Sequence, residues 1–274
     1  MRIAYYLNEK LLGSDGRVES LLESLSRAGA QLYDLASERA VLKDTEVILS
    51  LGGDGTFLSA APYAALSGVP IAGVNMGRLG FLSSCNPEDL PGLIFSARQQ
   101  VGTRNMIFVE TDCPGFEKTV PLSLNEVMVG RSGPAMLGVD VSVDGNSLPT
   151  YWADGLLVST SSGSTAYNLS AGGPICLPDS RVLLITPVCP HNLNIRPLVV
   201  PDTSVISISL KSRSKSVILS LDNRRFEMPS GCFIKASSSE LPLKVLRPDA
   251  PGFIDALSSR LLWGQDVRNS NQKQ

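Results

Sequence analysis

The period of the hydrophobic pattern changes once along this chain, near residue 100, and no single-class fold accommodates both halves. Before that point strands and helices alternate. Ile3 to Leu7 is a short apolar run, and the following "SDGRVESLLESLSRAG" places Val18, Leu21, Leu22, Leu25 and Ala28 on one helical face. Ser14 or Asp15 is suited to cap its start and Gly29 its end. "QLYDL" and "VILSL" read as strands, "TFLSAAPYAALSG" as a helix, "PIAGVN" as a strand and "NPEDLPGLIFSARQQ" as a helix. Strands that are apolar at nearly every position predict a parallel sheet covered on both faces. From about residue 104 the period is two. Val139, Val141 and Val143 alternate with polar residues up to Asp144-Gly145, a hairpin turn signal. "ISISLKSRSKSVILSLD" repeats the design: Ile206, Ile208 and Leu210 lie on one face, a polar loop follows, and Val217, Leu219 and Leu221 return. That half reads as an antiparallel β domain.

Within the first half, "LSLGGDGTF" ends a buried strand on an acid flanked by glycines. Ligands of open parallel sheets bind beyond the carboxyl ends of the strands, where Gly52 to Gly55 must lie. Glycine lets the backbone turn sharply and lets a ligand approach it. N–H groups at the start of the next helix, near Thr56, favour anions such as phosphate. Asp54 is then the one reactive side chain at the mouth, placed to accept a proton from a substrate hydroxyl or to hold a metal-bound phosphate. The plainer alternative is that Asp54 caps the helix. Neither a Walker loop nor a G-x-G-x-x-G fingerprint is present.

The β half carries a second such stretch, "YWADGLLVSTSSGSTAYNLSAGGPI". Ser159 to Thr165 supplies six hydroxyls in seven residues, after a strand through Leu156-Leu157-Val158 and before a helix through Tyr167 and Leu169 to Gly172. Hydroxyls and loop N–H groups bind a pyrophosphate without formal positive charge. Tyr167 is placed to face a base or ribose, and Asp154 to hold a sugar hydroxyl or an exocyclic amine. An ordinary Ser/Thr-rich turn with Tyr167 in the core is the competing reading. Asn125-Glu126 is a third candidate: neighbours on a strand point to opposite faces, but at a strand end both can reach a ribose diol.

Composition narrows the function classes. At 274 residues the chain has room for two domains, and 24 Lys plus Arg against 26 Asp plus Glu leave a net charge of −2, so no basic footprint for nucleic acid exists. Five scattered cysteines without a C-x-x-C pair read as free thiols in a reducing cytoplasm rather than a disulfide or zinc framework. No apolar run has signal-peptide or membrane-spanning length, so a soluble cytoplasmic protein with no membrane partner is expected.

"GGDGTFL", "GVNMGRLGFL", "LNEVMVGR", "ADGLLVSTSSGSTAYNLSAGGPI" and "TPVCPHNLNIRPLVVP" resemble, in order and approximate spacing, the motifs of the NAD kinase family. The resemblance covers most of residues 1 to 265, and the long glycine-serine block is its most specific part. It implies a Rossmann-like α/β domain over residues 1–100 and an antiparallel β-sandwich-like, dinucleotide-binding domain over 101–250. Segment 251–274 is expected to pack back on the first domain and to fray at its end. It further implies transfer of a phosphoryl group to the adenosine 2′-hydroxyl of NAD, giving NADP. The donor is a nucleoside triphosphate such as ATP, or polyphosphate, with a divalent ion, Mg²⁺, carried on it. Dimers or tetramers are implied, with a site between domains that a neighbouring subunit can complete.

By position, Asp54 resembles the family's proton acceptor and Gly55 its close backbone contact. Asn125 and Glu126 resemble the pair that grips the dinucleotide. Asp154, Ser162, Thr165, Ala166, Tyr167 and Ser170 fall in the binding block. Phe81 matches an aromatic beside the adenine, and Asp222-Asn223 an acidic site late in the β domain. Two departures stand out. Ser161 replaces a usual proline, which predicts a less preorganised loop, and Trp152 stands where a basic or imidazole side chain is common. The single histidine, His191, sits between prolines away from these motifs and reads as structural or as a subunit contact. A lipid or sphingoid-base kinase shares the G-G-D-G loop but needs an apolar acceptor cleft or a basic amphipathic helix, which is not seen. A non-catalytic NADP sensor is the other alternative, and the retained Asp54 argues against it.

Overall fold

The computed structural model describes residues 1–7, 16–77, 80–95, 100–247 and 253–261. The first sheet has six strands in the order Gln31–Asp34, Arg2–Leu7, Thr45–Gly52, Ile71–Asn75, Leu243–Arg247, Gln100–Arg104. Its first four strands are parallel. Leu243–Arg247 joins them in parallel and carries Gln100–Arg104 antiparallel at the edge. Alternation along the central strand sets both faces. Val47, Leu49 and Leu51 pack on Val18, Leu21 and Leu25 of helix Gly16–Arg27, while Ile48 packs with Phe57, Ala60, Ala61 and Ala64 of helix Asp54–Ser67. Alanine lets the second helix lie close to the sheet. The first helix ends as its sequence predicts: Gly29 has φ +88° and the Ala30 N–H donates to Leu25 O at 3.1 Å. The expected caps Ser14 and Asp15 lie outside the described residues. Of the helix expected from Asn86 to Gln100, the described residues are helical over Leu90–Phe95, Asn86 to Asp89 precede the helix, and Gln100 belongs to a strand.

The β half is a sandwich. One sheet runs Asn146–Ser147, Leu137–Val143, Ile206–Lys211, Ile234–Ser238, Ile107–Thr111, Leu122–Ser123, with Tyr151–Ala153 also paired to Leu137–Val143. The other runs Leu198–Pro201, Val182–Val188, Gly155–Thr160, Glu126–Arg131, Ser216–Leu221, Arg224–Pro229. Pairing in both is antiparallel. Asp144 (φ +51°) and Gly145 (φ +80°) form the expected two-residue turn, with Val143 opposite Asn146. One expectation is corrected. Ile206–Lys211 and Ser216–Leu221 do not pair with each other but enter opposite sheets, and their apolar faces meet across the core, Ile206 and Ile208 facing the layer of Val217 and Leu219. Period two fixes which face is buried, not which strand lies alongside.

The domain boundary also differs from the change of period. Strands Gln100–Arg104 and Leu243–Arg247 complete the first sheet, so the sandwich is strung between two adjacent strands of the α/β body.

Candidate active site

Strand Thr45–Gly52 delivers the chain to helix Asp54–Ser67 at the carboxyl end of the parallel strands. Gly53 is the N-cap and no side chain caps the helix, so the capping alternative for Asp54 does not hold. Its carboxylate instead reaches the loop after Ile71–Asn75. Oδ2 accepts the Phe81 N–H at 2.8 Å, and Oδ1 accepts those of Leu82 at 3.0 Å and Ser83 at 2.9 Å. Only glycine at position 80 permits this, because a Cβ there would lie 1.9 Å from Asp54 Oδ1. A carboxylate offers about four acceptor positions, so one remains on Oδ2.

The β domain brings a second polar group to this end of the molecule. Asp222 and Asn223 form the two-residue turn between Ser216–Leu221 and Arg224–Pro229, with Asp222 at φ +52°. The Asp222 carboxylate accepts from Ser123 Oγ (2.6 Å) and from the N–H groups of Leu124 (2.8 Å), Asn125 (2.8 Å) and Glu126 (3.1 Å). Burial raises this carboxyl above its ordinary range against the pull of those donors. Asn125 immediately precedes strand Glu126–Arg131, so the pair sits at a strand end. Asn125 Oδ1 and Glu126 Oε2 are buried without hydrogen-bond partners. Burial, then the charge of Asp222, push the Glu126 carboxyl up to about 8, while the Tyr167 N–H pulls it down. Asn223 joins the two domains here: its Nδ2 donates to Gly55 O at 3.2 Å and Ser59 Oγ at 2.8 Å.

The hydroxyl-rich stretch folds against Asn125. A Cβ on Gly163 would meet Asn125 O at 2.1 Å, so glycine is what lets the two segments touch. Residues 162–165 form a 3-10 turn and Tyr167–Ser170 a short helix. Its hydroxyls divide into two sets. Thr160 Oγ1 donates to Leu124 O (2.6 Å) and accepts from the Gly163 N–H, Ser161 Oγ donates to Pro178 O (2.9 Å), and Ser164 Oγ donates to Cys176 O (3.2 Å). Asn168 is fully buried and ties Ser164 O and Pro174 O to Thr186. These residues build the loop. Thr165, Ala166, Tyr167 and Ser170 are left partly or largely exposed, whereas the hydroxyls of Ser159 and Ser162 are buried without hydrogen-bond partners. Tyr167 is 41% exposed rather than in a core. At the position of the usual proline, the Ser161 hydroxyl ties the loop to Pro178 O at 2.9 Å.

Phe81 lies beside Asp54, with its ring 6.1 Å from that of Phe253 and the Arg260 guanidinium 5.0 Å above it. Asp154 is not brought to this place. It precedes strand Gly155–Thr160, whose other end meets Glu126, so it stands roughly 16 Å away at ~3.3 Å per residue. There it pairs with Arg131, Nε to Oδ1 at 2.8 Å and Nη2 to Oδ2 at 3.2 Å. Trp152 and exposed His191 share that end, the His191 N–H donating to Trp152 O at 2.8 Å. Sequence reasoning missed Arg224, which donates to Val120 O at 2.7 Å and to Leu122 O, and Arg260. Arg260 shares a helical face with Phe253 and Leu257, a spacing that was readable.

Comparison with known proteins agrees with this arrangement. The ATP-NAD kinase N-terminal domain family matches residues 18–96, and the ATP-NAD kinase C-terminal domain family residues 124–247. The chain is 38% identical to the NAD kinase of Flavobacterium johnsoniae over 238 residues, 85% of this chain and 81% of the relative. It is 36% identical to that of Cytophaga hutchinsonii over 97% of this chain and 93% of the relative. Among solved structures, yeast NADH kinase complexed with NADH superposes with a TM-score of 0.85 at 20% identity, covering 98% of this chain and 89% of that one. An NAD kinase from Archaeoglobus fulgidus in complex with ATP gives 0.72 at 27% identity, covering 91% and 94%. Two matched domain families, full-length relatives above one-third identity and a shared fold place this chain in the NAD kinase family.

Proposed function

We infer that this protein transfers the terminal phosphoryl group of a nucleoside triphosphate to the adenosine 2′-hydroxyl of NAD, giving NADP. The observation that carries the reading is the Asp54 carboxylate, clamped by three N–H groups with one acceptor position open, near two buried polar atoms of Asn125 and Glu126 that lack partners. An unpaired buried polar atom costs about 1–3 kcal/mol, and a sugar hydroxyl supplies the missing bond. In the reaction the hydroxyl proton leaves to Asp54, the new O–P bond forms, and the bond to the leaving diphosphate breaks. Phosphoryl transfer needs little covalent help, so positioning and charge neutralisation supply most of the rate. A divalent ion such as Mg²⁺ arriving on the triphosphate supplies part of that neutralisation. Among the described residues no three His, Cys, Asp or Glu side chains group to hold one independently. The polar walls of the site favour a dinucleotide over a lipid acceptor.

Asp154 supports self-association, as dimer or tetramer. Its place at the far end of the strand suits it to the site of a neighbouring copy, and the exposed apolar side chains of Trp152 (38%) and Leu193 (85%) lie on that side. The five free cysteines suit a reducing cytoplasm, and among the described residues no helix is long and apolar enough to cross a membrane.

The test is product formation from NAD, ATP and Mg²⁺, with the phosphate located on the 2′-oxygen by phosphorus NMR. Asp54→Asn keeps the shape, and should retain NAD affinity while losing about 10²–10⁴ in turnover. Unchanged turnover would remove Asp54 from the chemistry.

A further inference from the structure

Helix Phe253–Arg260 closes against the loop that clamps Asp54. Phe253 meets the Phe81 ring, and Arg260, in the last turn, lies over the same ring at 5.0 Å. Because the Phe81 N–H donates to Asp54 Oδ2 at 2.8 Å, this guanidinium sits one residue from the reacting carboxylate. A cation over an aromatic face explains why the helix docks. It does not explain the rest of the arrangement. Arg260 Nε is buried with no hydrogen-bond partner, and among the described residues no carboxylate forms an ion pair with this side chain. Burial pulls the guanidinium below its ordinary pKa, and the negative charge of Asp54 acts in the other direction. A partly buried guanidinium whose Nε has no partner, close enough to feel the charge of Asp54 beside the atom that accepts the substrate's proton, is suited to an arriving anion.

We propose that Arg260 is a phosphate-binding residue of this site, positioned to hold the 2′-phosphate formed beside Asp54, so that NADP is bound in preference to NAD. The assignment rests on the functional reading above, since it takes the acceptor hydroxyl to lie at Asp54. The physical need is direct. Once the phosphoryl group has moved, a dianion stands next to a carboxyl group, and a fixed guanidinium offsets that repulsion with charge-assisted hydrogen bonds. NAD has no group at this position and gains nothing from Arg260.

Calorimetric titration of NAD and of NADP into wild-type protein, Arg260→Met and Arg260→Lys decides the matter. Met keeps much of the apolar length against Phe81, and Lys keeps the charge without the planar fork. The expected result is a loss of roughly ten- to a hundredfold in NADP affinity for Arg260→Met, with NAD affinity within about twofold of wild type and partial recovery in Arg260→Lys. An NADP-to-NAD affinity ratio unchanged by Arg260→Met overturns the assignment, as does an equal fall for both ligands, which is what a mere helix anchor gives. Wild-type turnover of NAD separates the two readings. Turnover with an unchanged ratio overturns only the role of Arg260. Absence of both turnover and NAD binding overturns the functional reading and this assignment with it.

Discussion

Glu126 links the candidate site to stability. Its carboxyl is pushed up to about 8 by burial and by the charge of Asp222, whereas in the unfolded chain it titrates near 4.5. The folded state therefore holds this proton more tightly. The resulting stabilisation is fully present below the unfolded value and is lost as pH rises from about 4.5 toward about 8. Each unit inside that window costs at most about 1.4 kcal/mol for one proton. Asp222, also raised, acts with the same sign. Glu126→Gln mimics the protonated form, so its urea midpoint should exceed that of wild type at pH 8 and match it near pH 4. Parallel midpoints for the two proteins across that range would refute the linkage. At this scale the sequence was informative about Asp54, Asn125 and Glu126, which stand in recognisable local settings. It was less so about Asp222, whose carboxylate organises residues 96 to 98 positions away. Arg260 escaped notice for a similar reason: its partner Phe81 is distant in sequence.

The binding loop shows what the element scale adds. Ser161 has φ −59° and follows the extended Thr160, so a proline ring fits the backbone there. Ser161→Pro should gain about 0.4–1 kcal/mol from a stiffer unfolded chain and lose about 0.5–1.5 kcal/mol with the bond to Pro178 O. The expected net change in stability is within about 1 kcal/mol of zero. The Thr160 N–H donates to Asn125 O and the Ser164 N–H to Ser161 O, so both find their partners within the protein. Hydrogen exchange across residues 159 to 166 should therefore show protection in the free protein, with little added by NAD. Strong protection only after NAD addition would restore the idea of a loop ordered by its ligand. That hydroxyls would matter here was legible from their density. Which of them build the loop and which face outward was not, because the division depends on Leu124, Cys176 and Pro178, all outside the stretch. The two strands of "ISISLKSRSKSVILSLD" make the same point: their burial was readable and their partners were not.

For the whole molecule, the change of hydrophobic period located two architectures correctly while misplacing the seam between them. Periodicity registers how a segment is buried and is silent about a strand that leaves one domain to finish another. Leu243–Arg247 is such a strand, pairing Val245 with Ile71 on one side and Leu243 with Arg104 on the other. Asn223 then ties the seam to helix Asp54–Ser67, beside the cluster in which Leu122 and Leu124 pack with Phe57, so Asp54 and the Asn125–Glu126 pair are held on bodies that also share a sheet edge.

That shared edge has a consequence for how the protein comes into being. During synthesis the four parallel strands emerge first; Cys85 already pairs with Gly73 and Asn75 on the outer flank of Ile71–Asn75, but the Ile71 end of that flank stays bare until the entire sandwich has been translated and Val245 can pair with it. A bare, largely buried-type strand edge pairs readily with other chains. A fragment of residues 1–104 should accordingly sediment as aggregates, and a peptide spanning residues 241–247 added during refolding should increase its soluble fraction. A fragment that is monomeric and fully folded by itself would show that the late strand is ornament to the first domain, whereas the pairing pattern makes its arrival the step that commits the nascent chain to its native form.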